Sequence, residues 1–240
     1  ASGTNLVLTA RRLDRLDELA RELRTGRGVT VEVIEADLSR DDGIARVERS
    51  IAGAADLDLL VNNAGFGNTA GFVRGEAAGH VDMLRVHVDA TVRLTRAALP
   101  GMIARGRGAV VNVSSVAAFS PFSGAMYSGT KSFLVMFSEN LQAELRGKGL
   151  SIRVQALCPG LTHTEFHAAA DMDLSGVPGI FWSRADEVVR TSLRRIGRGV
   201  VCVPGWENKA FAFLTRCPLT AGLVRAVGRT RLVRRKAAGN

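Results

Sequence analysis

A tyrosine and a lysine four residues apart are the residues of this chain best suited to acid–base chemistry. Tyr127 is the single tyrosine, and Lys131 is one of only four lysines among 240 residues. On a helix, residues i and i+4 share a face, so the phenol and the ammonium can approach one another. A nearby cation stabilises phenolate and lowers the pKa of the phenol from about 10. The pair therefore predicts a proton donor and acceptor for carbonyl/alcohol interconversion, although a packed tyrosine beside a solvated lysine would look the same.

Apolar strands alternate with amphipathic helices around this pair. At 240 residues with 46% hydrophobic residues, the chain is predicted to form one α/β domain over 1–240, a doubly wound parallel sheet covered on both faces. Capping boxes are predicted at Ser39 with Asp42 and at Ser183 with Asp186. The predicted strands are 6–10, 29–36, 58–61, 109–113, 152–157 and 199–204, and the predicted helices are 13–23, 39–53, 81–104, 124–146 and one from 183.

Short motifs rich in small and polar residues follow the strands, where ligands of open α/β sheets bind. Asn62-Asn63-Ala64-Gly65 follows the third strand, Ser114-Ser115 the fourth, and Cys158-Pro159-Gly160 with Thr164 the fifth. Together with the Tyr127–Lys131 pair, this ordered set resembles the short-chain dehydrogenase/reductase family from about Gly3 to about Gly205. The resemblance implies a Rossmann-like fold and hydride transfer between a nicotinamide cofactor and a ketone or secondary alcohol.

The resemblance also implies roles for the reactive side chains. Tyr127 is the proton donor and acceptor, Lys131 lowers its pKa and binds the nicotinamide ribose, and a strand-end serine polarises the carbonyl. Alignment of the strand end favours Ser115, whereas the spacing to Tyr127 favours Ser114. Only one of the two can be right, because successive side chains of a strand face opposite ways, and we predict Ser115. His87 stands where the family has asparagine, and it either relays protons from Lys131 to solvent or fills the space structurally.

The predicted cofactor is NADP(H) in preference to NAD(H). Arg11 and Arg12 follow the first strand, where the family uses arginine for the 2′-phosphate of NADP and an acidic residue for the 2′-hydroxyl of NAD; plain surface charge is the alternative. Asp37 matches the position that meets adenine, or it caps a turn. The other implied cofactor contacts are Asn62, Asn63, Ala64, Gly65, Pro159, Gly160 and Thr164, together with Tyr127 and Lys131.

One family element has no match in this chain. Family members begin with a strand and a glycine-rich turn that holds the cofactor pyrophosphate at a helix N-terminus. This chain opens at Ala1-Ser2-Gly3, and its first strand corresponds to the family's second. The absent strand would lie centrally and leave unpaired backbone groups on both neighbours. We therefore expect a fragment of a longer natural chain, with a truncated, non-catalytic member that binds nucleotide or a protein partner as the alternative.

The stretch 162–182 is predicted to be a mobile lid over a largely apolar pocket. Its apolar residues are interrupted by Gly176, Pro178 and Gly179, which predicts a hydrophobic carbonyl substrate; packing under the next helix is the alternative. The pocket residues expected there are Phe166, Met172, Leu174, Val177, Ile180, Phe181 and Trp182. His163 and His167, near Asp171 and Asp173, are compatible with a metal site, but we predict none.

The formal charge of +9 is concentrated in a basic helical extension, predicted at 206–240. This favours a solvated tail or one that contacts an anionic membrane, and hence a third hypothesis, a basic surface-binding protein. The few aromatic residues argue against nucleic acid. Three cysteines without a disulfide or metal spacing, and no apolar segment of membrane-spanning length, predict a cytoplasmic protein, peripheral at the membrane at most. A homo-oligomer is also expected.

Overall fold

The computed structural model describes residues 3–67, 71–120, 123–165, 177–217, 219, 220 and 222, and strands alternate with helices along them. The strands are Leu6–Ala10 (β1), Val31–Glu35 (β2), Leu59–Asn62 (β3), Gly108–Val113 (β4), Ile152–Leu157 (β5), Leu161–Thr162 (β6), Trp182–Ser183 (β7) and Val201–Cys202 (β8). The helices are Leu13–Arg27 (α1), Asp41–Gly53 (α2), Gly71–Arg74 (α3), Ala77–Leu84 (α4), Ala90–Ala104 (α5), Ala125–Gly147 (α6), Ala185–Arg195 (α7) and Trp206–Arg216 (α8).

A four-stranded parallel sheet in the order β3-β4-β5-β8 carries the centre of the fold. On one face, Val110 and Val154 pack against Met102 of α5 and Leu145 of α6. On the other face, Val111 of β4 and Leu157 of β5 pack against Val188 of α7. Because side chains alternate along a strand, a continuous apolar run can cover both faces. The predicted doubly wound parallel sheet is therefore confirmed.

The strands β1 and β2 form a separate parallel pair. In the described part of the chain, no backbone ladder joins this pair to the larger sheet. A shared apolar cluster connects them instead, with Ile34 of β2 and Ile44 of α2 packed against Leu94 of α5. Val7 of β1 and Val61 of β3 are 50% and 49% exposed. These two strands therefore lie at the edges of the two ladders in the described part of the chain.

The helix predicted at 81–104 begins earlier and is not regular. It starts with α4 at Ala77 and continues through a π-helical turn, Arg85–Asp89, into α5. Such turns insert one residue into the helical repeat and are frequent at functional sites. The turn carries His87, which is 1% exposed.

Both predicted capping boxes are wrong. The residues before α2 and α7 are Arg40 and Arg184, and neither end has a side-chain cap. The hydroxyl of Ser39 donates instead to Asp37 Oδ1 at 2.8 Å. A local carboxylate partner stabilises a tight turn there, and the helix begins only after it.

The predicted lid is closed at its base by a short parallel pair. In β6 and β7, Leu161 pairs with Trp182 and Thr162 with Ser183. Residues 166–176, including the predicted pocket residues Phe166, Met172 and Leu174, lie outside the described residues. The short helix α3 occupies a stretch predicted to be loop, and α8 begins the predicted C-terminal extension.

Candidate active site

Three strands deliver their polar motifs to one edge of the sheet. Asn62 pairs with Asn112 and Val113 with Leu157, so β3, β4 and β5 end in register. The segments that follow these strands therefore emerge side by side, at the edge where such sheets bind ligands. The N–H of Val116 donates to the carbonyl of Pro159 at 2.9 Å, which ties two of these segments together.

Tyr127 lies in the first turn of α6, beside Ser115. Gly124 precedes this helix with φ of 85°, a conformation in which side chains other than glycine are strained, so the chain can turn sharply into the helix. The side chain of Ser115 hydrogen-bonds to the phenol of Tyr127. Its oxygen also accepts the N–H of Ala117 at 3.1 Å. The hydroxyl beside the phenol is therefore held from a second direction.

Ser114 faces the other way. Its hydroxyl donates to the main-chain oxygen of Lys131 at 2.7 Å, and the residue is 3% exposed. In the backbone just after β4, the two candidate serines thus point opposite ways: Ser115 reaches Tyr127, and Ser114 binds the backbone of α6.

Lys131 is buried under the site. Its Nζ donates to the carbonyl of Val113 at 2.8 Å and lies 5.7 Å from the centroid of the Tyr127 ring. Burial lowers the pKa of Lys131 to about 8, while Cys158 acts to raise it. Removing an ammonium from water disfavours its charged form unless an anion compensates.

Burial also raises the pKa of Tyr127, and the hydrogen bond from Ser115 opposes this only in part. The phenol pKa predicted from the sequence, lowered by Lys131, is therefore wrong for this site. Desolvation of the phenolate outweighs the hydrogen bond from Ser115. A phenol that keeps its proton at neutral pH is suited to donating that proton to an oxygen that is gaining charge.

His87 lies between the loop after β3 and the helix α6. Its Nε2 accepts the N–H of Phe66 at 3.0 Å, and its Nδ1 lies 2.9 Å from Thr130 Oγ1. Burial and then the charge of Lys131 lower the pKa of His87 to about 3. The ring is neutral at neutral pH and both nitrogens have partners, so this geometry does not support the predicted relay from Lys131 to solvent. Sequence reasoning missed Thr130 altogether.

Arg11 and Asp37 lie near each other beyond the ends of β1 and β2. Asp37 Oδ1 accepts the N–H of Ser39 at 2.9 Å, as in the turn-capping alternative. Burial acts to raise the pKa of Asp37, but the bonds from Ser39 and the charges of Arg11 and Arg40 lower it overall. The carboxylate is therefore ionised and already engaged in the turn.

Arg12 has an acidic partner that the sequence did not suggest. Its guanidinium lies 3.3 Å from Glu165, and Arg15 lies 2.7 Å from the same carboxylate. These hydrogen bonds lower the pKa of Glu165. Glu165 follows Thr164, so a residue at the start of the predicted lid pairs with Arg12, one of the two arginines predicted to bind phosphate.

The motif after β3 divides between core and surface. The amide of Asn62 donates to Asn112 Oδ1 at 2.8 Å and to Thr95 Oγ1 at 3.1 Å, so this side chain joins the sheet to α5. Asn63 and Ala64 are exposed. A Cβ on Gly65 would lie 2.9 Å from His87 Nε2, which explains why glycine is needed there. Only the exposed part of this motif is open to a ligand.

Gly160 packs closely against Asn208 of α8. A Cβ on Gly160 would lie 2.1 Å from Asn208 Oδ1, and the amide of Asn208 donates to the carbonyl of Pro204 at 2.9 Å. Thr164 is exposed, with its hydroxyl 3.4 Å from the carbonyl of Thr162. Asn208 is a supporting residue without a motif of its own, which is why the sequence did not reveal it.

The described residues contain no group of three or more histidine, cysteine or acidic side chains that could hold a metal ion. His163 stacks on Trp182, with ring centroids 4.7 Å apart. His167, Asp171 and Asp173 lie outside the described residues. In that same part of the chain, the helices are all too short or too polar to cross a membrane.

Comparison with known sequences yields a consistent set of relatives. The family model for short chain dehydrogenase matches residues 1–174. Sulfoacetaldehyde reductase from Chromohalobacter salexigens is 39% identical over 175 residues, which cover 69% of this chain and 66% of that protein. The chain thus spans just under two thirds of the length of such curated relatives, for three of which the share is 64 to 66%.

Solved structures extend the similarity over nearly the whole chain. A short-chain dehydrogenase from Sphingobium yanoikuyae in complex with NADPH has a TM-score of 0.79 and 33% identity, and the match covers 98% of this chain and 86% of that one. The bulky-bulky ketone specific alcohol dehydrogenase from Comamonas testosteroni has a TM-score of 0.75 and 28% identity, covering 96% and 84%.

Proposed function

This chain belongs to the short-chain dehydrogenase/reductase family, and we propose that it acts as an NAD(P)-dependent oxidoreductase on a ketone or secondary alcohol. The observation that carries this proposal is the hydrogen bond between Tyr127 and Ser115 at the carboxyl ends of the strands, above the buried ammonium of Lys131. A proton donor, a second hydroxyl and a cation within one small space are what reduction of a carbonyl requires.

In the proposed mechanism, Tyr127 donates its phenolic proton to the carbonyl oxygen and Ser115 donates a hydrogen bond to the same oxygen. A nicotinamide cofactor, when bound, supplies or accepts the hydride. Lys131, with a pKa of about 8, keeps a positive charge near the phenol at neutral pH and stabilises the phenolate left after proton transfer. Oxidation of the alcohol uses the same groups in reverse.

The residues present fit an extended dinucleotide along the strand ends. Asn63 and Ala64 are exposed beside the site, and Arg11 and Arg12 are exposed at the end of β1. We assign NADP(H) over NAD(H), because a guanidinium pairs well with a 2′-phosphate. The NADPH in the related Sphingobium structure supports this choice. Pro159, Gly160 and Thr164 are assigned to the nicotinamide end.

The proposed substrate is a hydrophobic carbonyl compound. Ile180 and Phe181, in the described end of the lid, are 63% and 47% exposed. Apolar side chains that are exposed next to an active site are available to line a substrate pocket. The related Comamonas enzyme is specific for bulky ketones, whereas the Chromohalobacter relative acts on sulfoacetaldehyde, so relatives alone do not select the substrate.

We further propose that the basic C-terminal extension contacts anionic membrane from the cytoplasmic side. On α8, Trp206 and Phe213 are 71% and 69% exposed, and Lys209 lies on the same face. Aromatic and basic residues on one face of a helix are typical of helices that lie at a membrane surface. The free cysteines suit a reducing compartment. Flotation with phosphatidylserine vesicles tests this, and binding that persists in Trp206→Ser with Phe213→Ser contradicts it.

A homo-oligomer is proposed from a separate surface. Phe133 and Met136 of α6 and Leu84 of α4 are 38%, 56% and 43% exposed. A second copy would remove this apolar area from water. Sedimentation should show an oligomer that Met136→Glu weakens, and a monomer at high protein concentration would contradict it.

The activity test is reduction of a panel of carbonyl compounds with NADPH. The decrease in the absorbance of the reduced cofactor measures turnover. The panel should pair steroid-like and aryl ketones with small sugars and sulfonated aldehydes. We expect turnover of the hydrophobic members only. Binding of NADPH without turnover of any carbonyl would favour the alternative, a non-catalytic member that binds nucleotide or a protein partner.

A further inference from the structure

A series of three hydrogen bonds, each with a defined donor and acceptor, runs from the loop after β3 to the helix α6. The N–H of Phe66 can only donate, so Nε2 of His87 is the acceptor and the ring proton is on Nδ1. Nδ1–H then donates to Thr130 Oγ1, 2.9 Å away. The hydroxyl of Thr130 in turn donates to the carbonyl of Tyr127 at 3.0 Å. Each group in the chain has one role, and the tautomer of His87 is determined by its neighbours.

This series of hydrogen bonds joins three elements of the fold close to Tyr127 and Lys131. His87 lies on the π-helical turn, Phe66 follows Gly65 after β3, and Thr130 lies on α6 between Tyr127 and Lys131. His87 and Thr130 are 1% and 3% exposed. A buried hydrogen-bonding group that loses its partner is costly, so the links resist displacement.

We propose that Thr130 and the neutral ring of His87 are positioning residues, which hold the loop at Phe66 and the first turns of α6 in register and carry no proton in the reaction. The inference rests on the proposed function for its kinetic consequence, but not for its geometry. A histidine stands here where the family has asparagine. Its hydrogen bonds to Thr130 and to the Phe66 N–H fix the orientation of the ring.

The electrostatic surroundings favour the neutral ring. The charge of Lys131 acts on His87, and the ring of Tyr127 approaches the imidazole edge-on with centroids 5.9 Å apart. Burial and the ammonium both lower the pKa of His87, and they outweigh a backbone hydrogen bond at Phe66 that acts to raise it. The Phe66 amide would also have no acceptor if Nε2 were protonated. A proton relay through His87 would require the ring to be protonated in spite of these effects.

The kinetic test compares Thr130→Val with Thr130→Ser in the intact protein. Valine keeps the volume and leaves Nδ1–H without an acceptor, whereas serine restores the hydroxyl. We expect valine to lower kcat by about ten- to a hundredfold, with little change in KM for the ketone, and serine to recover most of the loss. Full kcat in the valine variant with an unchanged unfolding temperature would overturn the proposal.

A second measurement is independent of turnover. Nitrogen NMR of the His87 ring should show a proton on Nδ1 alone between about pH 5 and 8, with His87→Gln used to assign the signal. A ring that titrates in that range, or that is protonated on Nε2, would overturn the proposal. If the protein reduces no carbonyl at all while the NMR result holds, the proposed function fails and the geometric inference stands.

Discussion

The two ends of the candidate site are held by different forces. At the catalytic end, Lys131 and His87 are 4% and 1% exposed, and each of their polar groups discussed above has a partner within the protein. At the other end, the side chains of Arg12 and Glu165 are 61% and 70% exposed. A buried polar group needs its partner, whereas a surface ion pair contributes about 0–1 kcal/mol. The geometry around Lys131 and His87 is therefore fixed by the fold. At the other end, Arg12 can exchange the carboxylate of Glu165 for a ligand phosphate.

The largest expected effect on kcat is at the buried end of the site, at Tyr127. Tyr127→Phe removes the proton donor but keeps the ring packed, so kcat for ketone reduction should fall about 10²- to 10⁴-fold. The unfolding temperature should stay near that of the unmutated protein, as measured by circular dichroism. Near-normal turnover would refute the assignment of Tyr127.

The two serines give a matched pair at adjacent positions. Ser115→Ala removes the hydroxyl beside the phenol, and kcat should fall about 10²-fold or more. Ser114→Ala removes a buried bond to the backbone of α6 and should mainly lower the unfolding temperature. Steady-state kinetics and thermal unfolding of both variants check this, and the opposite ranking in kcat would reverse the assignment.

The arginine end should respond in cofactor choice and not in kcat. Arg12→Ala should weaken NADPH binding about ten- to a hundredfold while leaving NADH binding nearly unchanged, because a charge-assisted contact to phosphate is lost. Arg21→Ala, which changes an exposed arginine of the following helix α1, is the control. Isothermal titration with both cofactors measures the difference; equal affinities in the unmutated protein would exclude the preference.

Acidification should lower the free energy of unfolding, because the buried His87 has a lowered pKa. The pKa of His87 is about 3 in the folded protein, against 6.5 for an unperturbed histidine, so the unfolded chain binds more protons between these values. Stability is therefore lost as pH falls from 6.5 toward 3, by up to about 1.4 kcal/mol per pH unit. Denaturant unfolding should show a smaller loss in His87→Gln over that range. Equal slopes would contradict the lowered pKa.

The smallest effect tests the exchangeable partner. Glu165→Gln removes the carboxylate that competes for Arg12 and Arg15, so NADPH should bind a few-fold more tightly, within the small energy of a surface pair. Glu144→Gln, which disrupts an exposed pair with Lys148, is the control. Weaker NADPH binding in Glu165→Gln would show that the carboxylate assists the cofactor.

Much of the fold was predictable because its signals are local. Apolar runs, helical periodicity and strand-end motifs placed the parallel sheet and put Tyr127 and Lys131 on one helix. Signals that depend on a single bond were less informative. Ser39 matched a helix cap, yet the carboxylate of Asp37 offered a closer partner and the helix began later.

By itself, the sequence determined which chemistry is available, since the types and spacing of Tyr127, Lys131 and the strand-end serines are local facts. Only the tertiary structure decided how those groups behave. It separated Ser115 from Ser114, whose side chains point opposite ways just after β4, and it reversed the expected pKa shift of Tyr127 because burial outweighs the hydrogen bond from Ser115. It also gave His87 two partners from distant segments. Burial and contacts between segments far apart in the chain are properties of packing, which spacing along the chain does not encode.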